Sequence, residues 1–394
     1  MARVLVTDGE ERAALAVVRS LGRAGHDVRV CSPRERSLAG ASRWCRGEAR
    51  VPDPLAEPAA YAAAVESLAL RLRCDLLLPL SEASLLALLP APGERAPIPI
   101  PFPDLERFRA LCDKRRVLEA AAAAGIAVPA QLVLETRAAR LAVEPSSVAF
   151  PVVVKPSRSV RDDPGGRAKQ GVAHAADWVQ LRVLLEDLPE SAYPVMVQQR
   201  VVGPGVGVFL LTWDARVRAV FAHRRLREKP PAGGVSVYRE SVAPDPALVR
   251  RAAALLAAFC WRGVAMVELK VDAATGTPYL MEVNGRFWGS LQLAVDAGVD
   301  FPALLVEAWA GKPARPPPPY RPGVRSRWWW GEVDHLVARM RRSPAELSLP
   351  AGEPGRLGAV ARALAPHRGD RGEVLRWSDP RPAWRETLDW MAGR

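Results

Sequence analysis

A chain of 394 residues is too long for one ordinary core and suits two or three packed units. It is 49% hydrophobic and 25% charged, an ordinary globular balance, and no apolar run approaches the roughly 18–20 residues that cross a bilayer, so no membrane partner is expected. The net charge of +12 invites a nucleic-acid reading, but arginine is spread over the whole chain without an aromatic-interleaved basic stripe, so no nucleic-acid partner is expected either; a cationic site for phosphates and carboxylates fits the excess.

The start, MARVLVTDG, runs straight into a strand-like segment with no signal-peptide core. Five scattered cysteines without CxxC spacing point to reduced thiols rather than a disulfide framework or a zinc site. Together these features predict a cytoplasmic protein.

Residues 3–7, 28–31 and 76–80 are short apolar strands; residues 13–21, 61–73 and 83–89 carry helical periodicity. Strands alternating with helices predict a doubly wound parallel sheet. The turn after the first strand is TDGEER rather than GxGxxG, so no dinucleotide is assigned to it. Ser81 and Glu82 close the strand LLLPL, where open α/β sheets place ligand groups. The segment APIPIPFP, residues 96–103, marks a boundary.

Residues 105–124 are expected to form one long helix closed by Gly125 and carrying Lys114 on a basic face. Strands follow at 152–155, 195–201 and 208–224, with helices at 178–188 and 246–259. In FPVVVKPS, Lys155 closes a buried strand; a lone lysine there usually reaches for water. The stretch after it contains Gly165, Gly166 and Lys169, and such a loop either lays backbone N–H groups over phosphates or is a plain surface turn.

Two strands at 264–271 and 278–283, joined by AATGT, are the most informative pair. Period two places Glu282, Asn284 and Arg286 on one face, and a hairpin would set Glu268 across from Glu282 or Asn284. Two carboxylates and an amide oxygen suit Mg²⁺, which takes one or two protein carboxylates plus phosphate oxygens. A salt-bridged surface hairpin is excluded because both strands are otherwise apolar. Gly285 is expected to let the backbone approach a ligand. In HRRLREKPPAGGVSVYRES, Arg224, Arg225 and Arg239 are candidates for substrate carboxylates or, equally, partners for surface acids. PARPPPPY, residues 313–320, reads as a stiff connector. Half of the twelve tryptophans lie beyond it, either anchoring the tail to the body or lining a substrate site.

The order DKRRVLEAAAAAGIAVP, FPVVVKPS, VMVQQRVVGPG, then VELKVD with MEVNGR resembles the ATP-grasp superfamily, nearest to bacterial carboxylate–amine ligases and sharing the fold of biotin carboxylase and carbamoyl-phosphate synthetase. The resemblance spans residues 3–310. It implies an α/β pre-ATP-grasp domain at 1–103, an ATP-grasp domain of α+β character at 104–312 with a lid at about 150–202, and a Pro-rich connector with a C-terminal extension at 313–394. It further implies ATP and Mg²⁺ (or Mn²⁺) as cofactors. Lys114 and Lys155 would contact phosphates under the loop holding Gly165, Gly166 and Lys169. Glu268, Glu282 and Asn284 would hold the metal, and Arg286 and Lys155 would stabilise the transferring phosphoryl group. Residues 198–202, beginning with Gln198, would be the adenine hinge, with backbone groups near Gln199 and Val201 reading the base. Such a protein joins a small carboxylate to an amine through an acyl phosphate; a homodimer is left open. Two departures stand: Gln199 replaces the usual hinge glutamate, and GPGVGV supplies no acid for the ribose. A carboxylating or phosphotransfer enzyme and a non-catalytic nucleotide binder are the alternatives.

Overall fold

The computed structural model describes residues 1–163, 165–231, 233–314, 320–344, 346, 347, 349, 352–365, 367 and 369–393. Most of the proline-rich connector, residues 315–319, lies outside the described residues. The doubly wound expectation for the first hundred residues holds. Strands β1 (Arg3–Val6), β2 (Asp27–Ser32), β3 (Glu48–Arg50) and β4 (Leu76–Leu78) form a parallel sheet in the order β3-β2-β1-β4, with helices α1 (Arg12–Arg23), α2 (Pro58–Arg71) and α3 (Glu82–Leu88). The strand order reverses between β1 and β4. Asp8 sits there at φ 56°, and its carboxylate accepts from the N–H groups of Leu80 and Ser81 and from the Ser84 hydroxyl.

The expected single helix at 105–124 is two: α4 (Leu105–Cys112) and α5 (Lys114–Ala123). Asp113 breaks them with an extended backbone (φ −82°, ψ 104°), and its carboxylate caps α5 by accepting from the N–H groups of Arg115 and Arg116. The freed N–H of Lys114 donates to the Ser157 carbonyl. This break turns Lys114 inward; it is buried rather than part of a solvated face.

A second sheet, in the order β5-β10-β6-β9, comprises β5 (Gln131–Leu134), β6 (Val152–Pro156), β9 (Ala173–Ala175) and β10 (Val195–Gln199), covered by α6 (Trp178–Asp187). The hairpin β7 (Val160–Asp163) and β8 (Gly166–Lys169) projects from it. A third sheet runs β15-β14-β11-β12-β13-β16-β17. Its strands are β11 (Gly205–Trp213), β12 (Arg216–Lys229), β13 (Val235–Ser241), β14 (Gly263–Val271), β15 (Pro278–Asn284), β16 (Arg325–Arg327) and β17 (Asp370–Gly372). Helix α7 (Pro246–Ala258) precedes β14, and α8 (Leu291–Ala297) and α9 (Phe301–Trp309) follow β15. The C-terminal part adds α10 (Trp329–Arg341), α11 (Arg356–Leu364) and α12 (Arg381–Met391). One hydrophobic cluster joins the first sheet, α1, α4, α5, α7, α8, α9 and the third sheet, so the N-terminal unit and the large sheet share a core. No helix among the described residues is long and apolar enough to cross a membrane.

Candidate active site

The third sheet builds the floor of the site. Strands β14 and β15 pair antiparallel with Glu268 directly opposite Glu282, while Asn284 faces Met266; the register then shifts after Glu268. Of the two hairpin registers the sequence allowed, the Glu268–Glu282 one forms. Strand β15 ends the sheet in hydrogen-bonding order, yet α4 and α5 pack on it, which is why its apolar residues are not at a solvent edge. Asn284 Nδ2 donates to Glu282 at 3.0 Å, and Arg286 donates to Asn284 Oδ1 at 3.0 Å and to the Phe287 carbonyl at 3.0 Å. Burial and the neighbouring Glu282 raise the pKa of Glu268, against the pull of Arg225. Burial acts on Glu282 in the same sense, but Lys114, Asn284, Lys155 and Arg286 outweigh it and hold Glu282 below the usual carboxylate range.

Lys155 arrives on β6 of the second sheet and Lys114 at the start of α5. Lys155 Nζ donates to Gln198 Oε1 at 2.8 Å, and Gln198 in turn donates to Gln131. Lys155 does not reach for water: it is buried, and burial together with Lys114 brings its pKa down to about 8 against the pull of Glu282 and Glu268. Lys114 Nζ donates to Ser159 Oγ at 2.7 Å.

All of these groups except Phe287, Ser159 and Gln131 line one cavity of about 850 Å³, with Gln199 and Val201 at its rim. The same wall contains His174, whose pKa burial and the cations Arg200, Lys270 and Lys155 push down to about 4. A second cavity of about 270 Å³ shares Glu282, Asn284 and Arg286 with the first and is lined by Ser81, Glu82, Ser159 and Lys169. The Ser81 hydroxyl is engaged as the cap of α3, accepting from Ser84 N–H. Burial raises Glu82, with Arg286 and Lys114 opposing.

Several expected residues do not join the cavity. Gly165 lies in the β7–β8 turn and Gly166 opens β8, where a Cβ would lie 2.7 Å from the Leu55 carbonyl oxygen; the tip leans on the N-terminal unit rather than over the cavity. Arg224 pairs with Glu240 at 2.7 Å and does not line it. Arg239 is fully buried against Glu373 and the Ser236 carbonyl. Gly285 serves packing, not ligand approach: a Cβ there would meet Trp261 at 2.5 Å and Leu111 at 2.8 Å. Arg225 does line the cavity and donates to Glu268 at 2.6 Å and to Glu228 at 2.8 Å. Burial opposes its charge, but these two carboxylates hold its pKa up.

Sequence reasoning missed Arg12, His223, Trp288 and Ser290, which also line the large cavity. The signal for His223 was available in principle, since it falls in cross-strand register with Gly207, which in turn opposes Glu268. None of the tail tryptophans lines the cavity. Trp330 stacks on Trp390 at 4.0 Å and Trp328 donates to Glu386, contacts within the tail, while Trp328 meets the body through the Arg12 guanidinium over its ring and its N–H to the Val237 carbonyl.

Two carboxylates and an amide oxygen are an incomplete ligand set on their own, and among the described residues no group of three or more His, Cys, Asp or Glu side chains could hold a metal. That donor set fits a magnesium ion whose remaining ligands are phosphate oxygens and water.

The lysine-bearing sheet facing a carboxylate-bearing sheet across one cavity is the ATP-grasp fold, and the sequence resemblance to that superfamily holds. More specifically, residues 191–331 match a family model described as ATP-grasp in the biosynthetic pathway with Ter operon. Among solved structures, L-amino acid ligase from Bacillus licheniformis superposes with a TM-score of 0.59 at 17% identity, over 78% of this chain and 73% of that one. Biotin carboxylase from Campylobacter jejuni gives 0.62 at 14% identity, over 82% and 74%. N5-carboxyaminoimidazole synthetase from Staphylococcus aureus, complexed with ADP, gives 0.59 at 14% identity, over 80% and 78%. No curated protein matches the chain.

Proposed function

We propose that the chain is an ATP-dependent carboxylate–amine ligase. The observation that carries this reading is the Glu268–Glu282 pair, buried opposite each other in a cavity that also holds Lys114, Lys155 and Arg286. Such a grouping of opposed carboxylates and cations has a use where a polyphosphate and a second anion must meet.

In this reading Lys114 and Lys155 bind the phosphates, and backbone groups near Gln199 and Val201 receive the adenine edge. Glu268, Glu282 and Asn284 would hold Mg²⁺, with Mn²⁺ as a substitute; bound there, the metal supplies positive charge to the phosphate oxygens. Arg286 aligns the acid substrate. A carboxylate oxygen attacks the γ-phosphorus and ADP departs; the amine nitrogen then attacks the acyl carbon, phosphate departs, and the nitrogen loses a proton. Arg286 and Lys155 offset charge where carboxylate and phosphoryl group meet, and exclusion of water protects the acyl phosphate. The division into residues 1–103, 104–312 and 313–394, with a lid near 150–202, belongs to the same reading, as does a cytoplasmic setting.

The test is to incubate the full chain with Mg-ATP, pooled carboxylic acids and pooled amines, and to search by mass spectrometry for products lighter by one water than the sum of an acid and an amine. Glu282→Ala should lower ADP release at least 10²-fold, on the scale of losing one preorganised electrostatic contact, with an unchanged thermal melt. ADP release driven by bicarbonate alone, without a condensation product, would move the assignment to a carboxylating enzyme. A Glu282→Ala protein as active as its parent would sink the metal assignment.

A further inference from the structure

The cavity has a cation for which the nucleotide has no evident use. Arg12 leaves the first turn of α1, in the N-terminal unit, and lines the large cavity beside Trp288, Gly289 and Ser290. Its guanidinium is fixed from behind. One arm donates to Glu373 at 2.5 Å, and the plane lies 3.8 Å over the Trp328 ring. The other arm, Nη2, sits 3.1 Å from where a Cβ on Gly289 would stand, so the glycine leaves room for the arginine at the wall. Among the described residues Nη2 has no hydrogen-bond acceptor, whereas a guanidinium carries five N–H donors.

Charge is unbalanced at this point. Glu373 is shared by Arg12 and Arg239, both at least mostly buried, so one carboxylate serves two guanidiniums. The next carboxyl, Glu386, compensates only in part, because burial raises its pKa to about 7. Over the whole cavity, eight basic side chains face four acidic ones. A triphosphate would absorb that excess, but a divalent metal accompanying it restores positive charge, and an anionic partner completes the balance. On the cavity wall beside Arg12 stand neutral groups: Trp288 carries an indole N–H that is buried without a partner among the described residues, and burial keeps His223 uncharged beside Ser290.

We infer that Arg12 binds a second carboxylate of the acid substrate, so that the acids this site takes are dicarboxylic: one carboxylate is activated beside Arg286 and the other is held at Arg12. This rests on the ligase reading and adds the substrate class. A planar carboxylate fits the free edge of a guanidinium through parallel N–H···O bonds, and the fixed posture of Arg12 removes the entropy cost of ordering it.

The probes are the straight-chain diacids from malonate to pimelate and their monomethyl esters. Each is given to the full chain with Mg-ATP and hydroxylamine, which traps an acyl phosphate as a hydroxamate; binding is followed separately by calorimetry. At least one diacid should show a KM tenfold or more below that of its half-ester. Arg12→Gln should raise that KM to the half-ester's value while Mg-ATP affinity stays within two-fold. If Arg12→Gln does not fold, Arg12→Lys keeps a cation opposite Glu373 but loses the second arm, and should raise the same KM several-fold. Equal KM values for diacids and half-esters throughout, or an undiminished preference in a folded Arg12 variant, overturns the inference. The two readings fail separately. Hydroxamate formed from monoacids and diacids alike leaves the ligase standing without the diacid. Arg12-dependent diacid binding with no hydroxamate from any acid leaves the diacid site standing without the ligase. Neither binding nor hydroxamate overturns both.

Discussion

Lys155 shows how much of the site is decided by one side chain's surroundings. An ordinary lysine loses its proton near 10.5; here burial and Lys114 bring the value down to about 8, with Glu282 and Glu268 resisting. The ammonium form dominates below that pH and the neutral amine above it. A bound polyphosphate favours the ammonium form, so nucleotide affinity should fall as pH rises, by about tenfold between roughly pH 7 and 9 if this group alone titrates. Calorimetry of ADP binding across that range, in buffers of different ionisation heat, measures both the affinity and the proton taken up. Lys155→Arg, charged throughout, should flatten the profile. A pH-independent affinity in the parent would show that Lys155 does not meet the phosphates. Other single-residue expectations divide by the same logic. The face shared by Glu282 and Asn284, with Glu268 across from it, was legible because period two in a strand fixes side-chain direction. The role of Gly285 was not, since nothing local announces that Trp261 and Leu111 occupy the space its side chain would need.

At the scale of elements, the sequence GPGVGV acquires a use that its composition did not suggest. Gly205 and Gly207 lie on β11 between β12 and β14, Gly207 opposite His223 and Glu268 and Gly205 opposite Lys270. Arg225 starts on β12 and reaches Glu268 on β14, so its side chain must pass over β11. A Cβ at position 205 would lie 2.7 Å from Arg225 Cδ and 3.2 Å from Glu228 Oε1. The bare strand is therefore what lets one guanidinium orient a carboxylate two strands away. Gly205→Ala should displace Arg225, leave the fold intact and move the magnesium dependence of turnover to about tenfold higher concentration, on the scale of one lost charge-assisted hydrogen bond. A magnesium titration superimposable on the parent's would show that Glu268 needs no such support. Strong periodicity made the helices α1, α2 and α7 and the pair β14–β15 readable. The division of α4 from α5 was not, because the break at Asp113 is sustained by a carbonyl at Ser157, far along the chain. The three-residue strands β16 and β17 were equally hidden, since they exist by pairing with β13 and with each other rather than by their own pattern.

For the whole molecule, the C-terminal segment is a brace between the N-terminal unit and the large sheet, a role its tryptophans alone left open. Arg19 of α1 is 1% exposed and donates to Asp379 at 2.9 Å and to the carbonyls of Glu373, Val374 and Asp379. Asp379 also accepts from the Ser42 hydroxyl and the Arg43 N–H, while Arg376 pairs with Asp296 on α8. Burial would raise the Asp379 pKa, but the Arg43 N–H, Arg19 and Ser42 overcome it and hold it below the ordinary 3.8. With a depressed folded-state value, the contribution of this carboxylate is complete above 3.8 and is lost as pH falls through the folded-state pKa. Asp379→Ala would strand the Arg19 charge inside the protein; breaking a buried pair in this way costs about 3–5 kcal/mol, and the three carbonyl acceptors left to Arg19 place the expectation near 3. The urea midpoint at neutral pH should drop accordingly, and limited proteolysis should release fragments from residues 370–393 that the parent protects. The gap between variant and parent should narrow in acid, once the parent's carboxylate takes up its proton. A variant with the parent's midpoint and cleavage pattern would mean that Arg19 is held by its carbonyl acceptors alone, and that the C-terminal segment is fastened elsewhere.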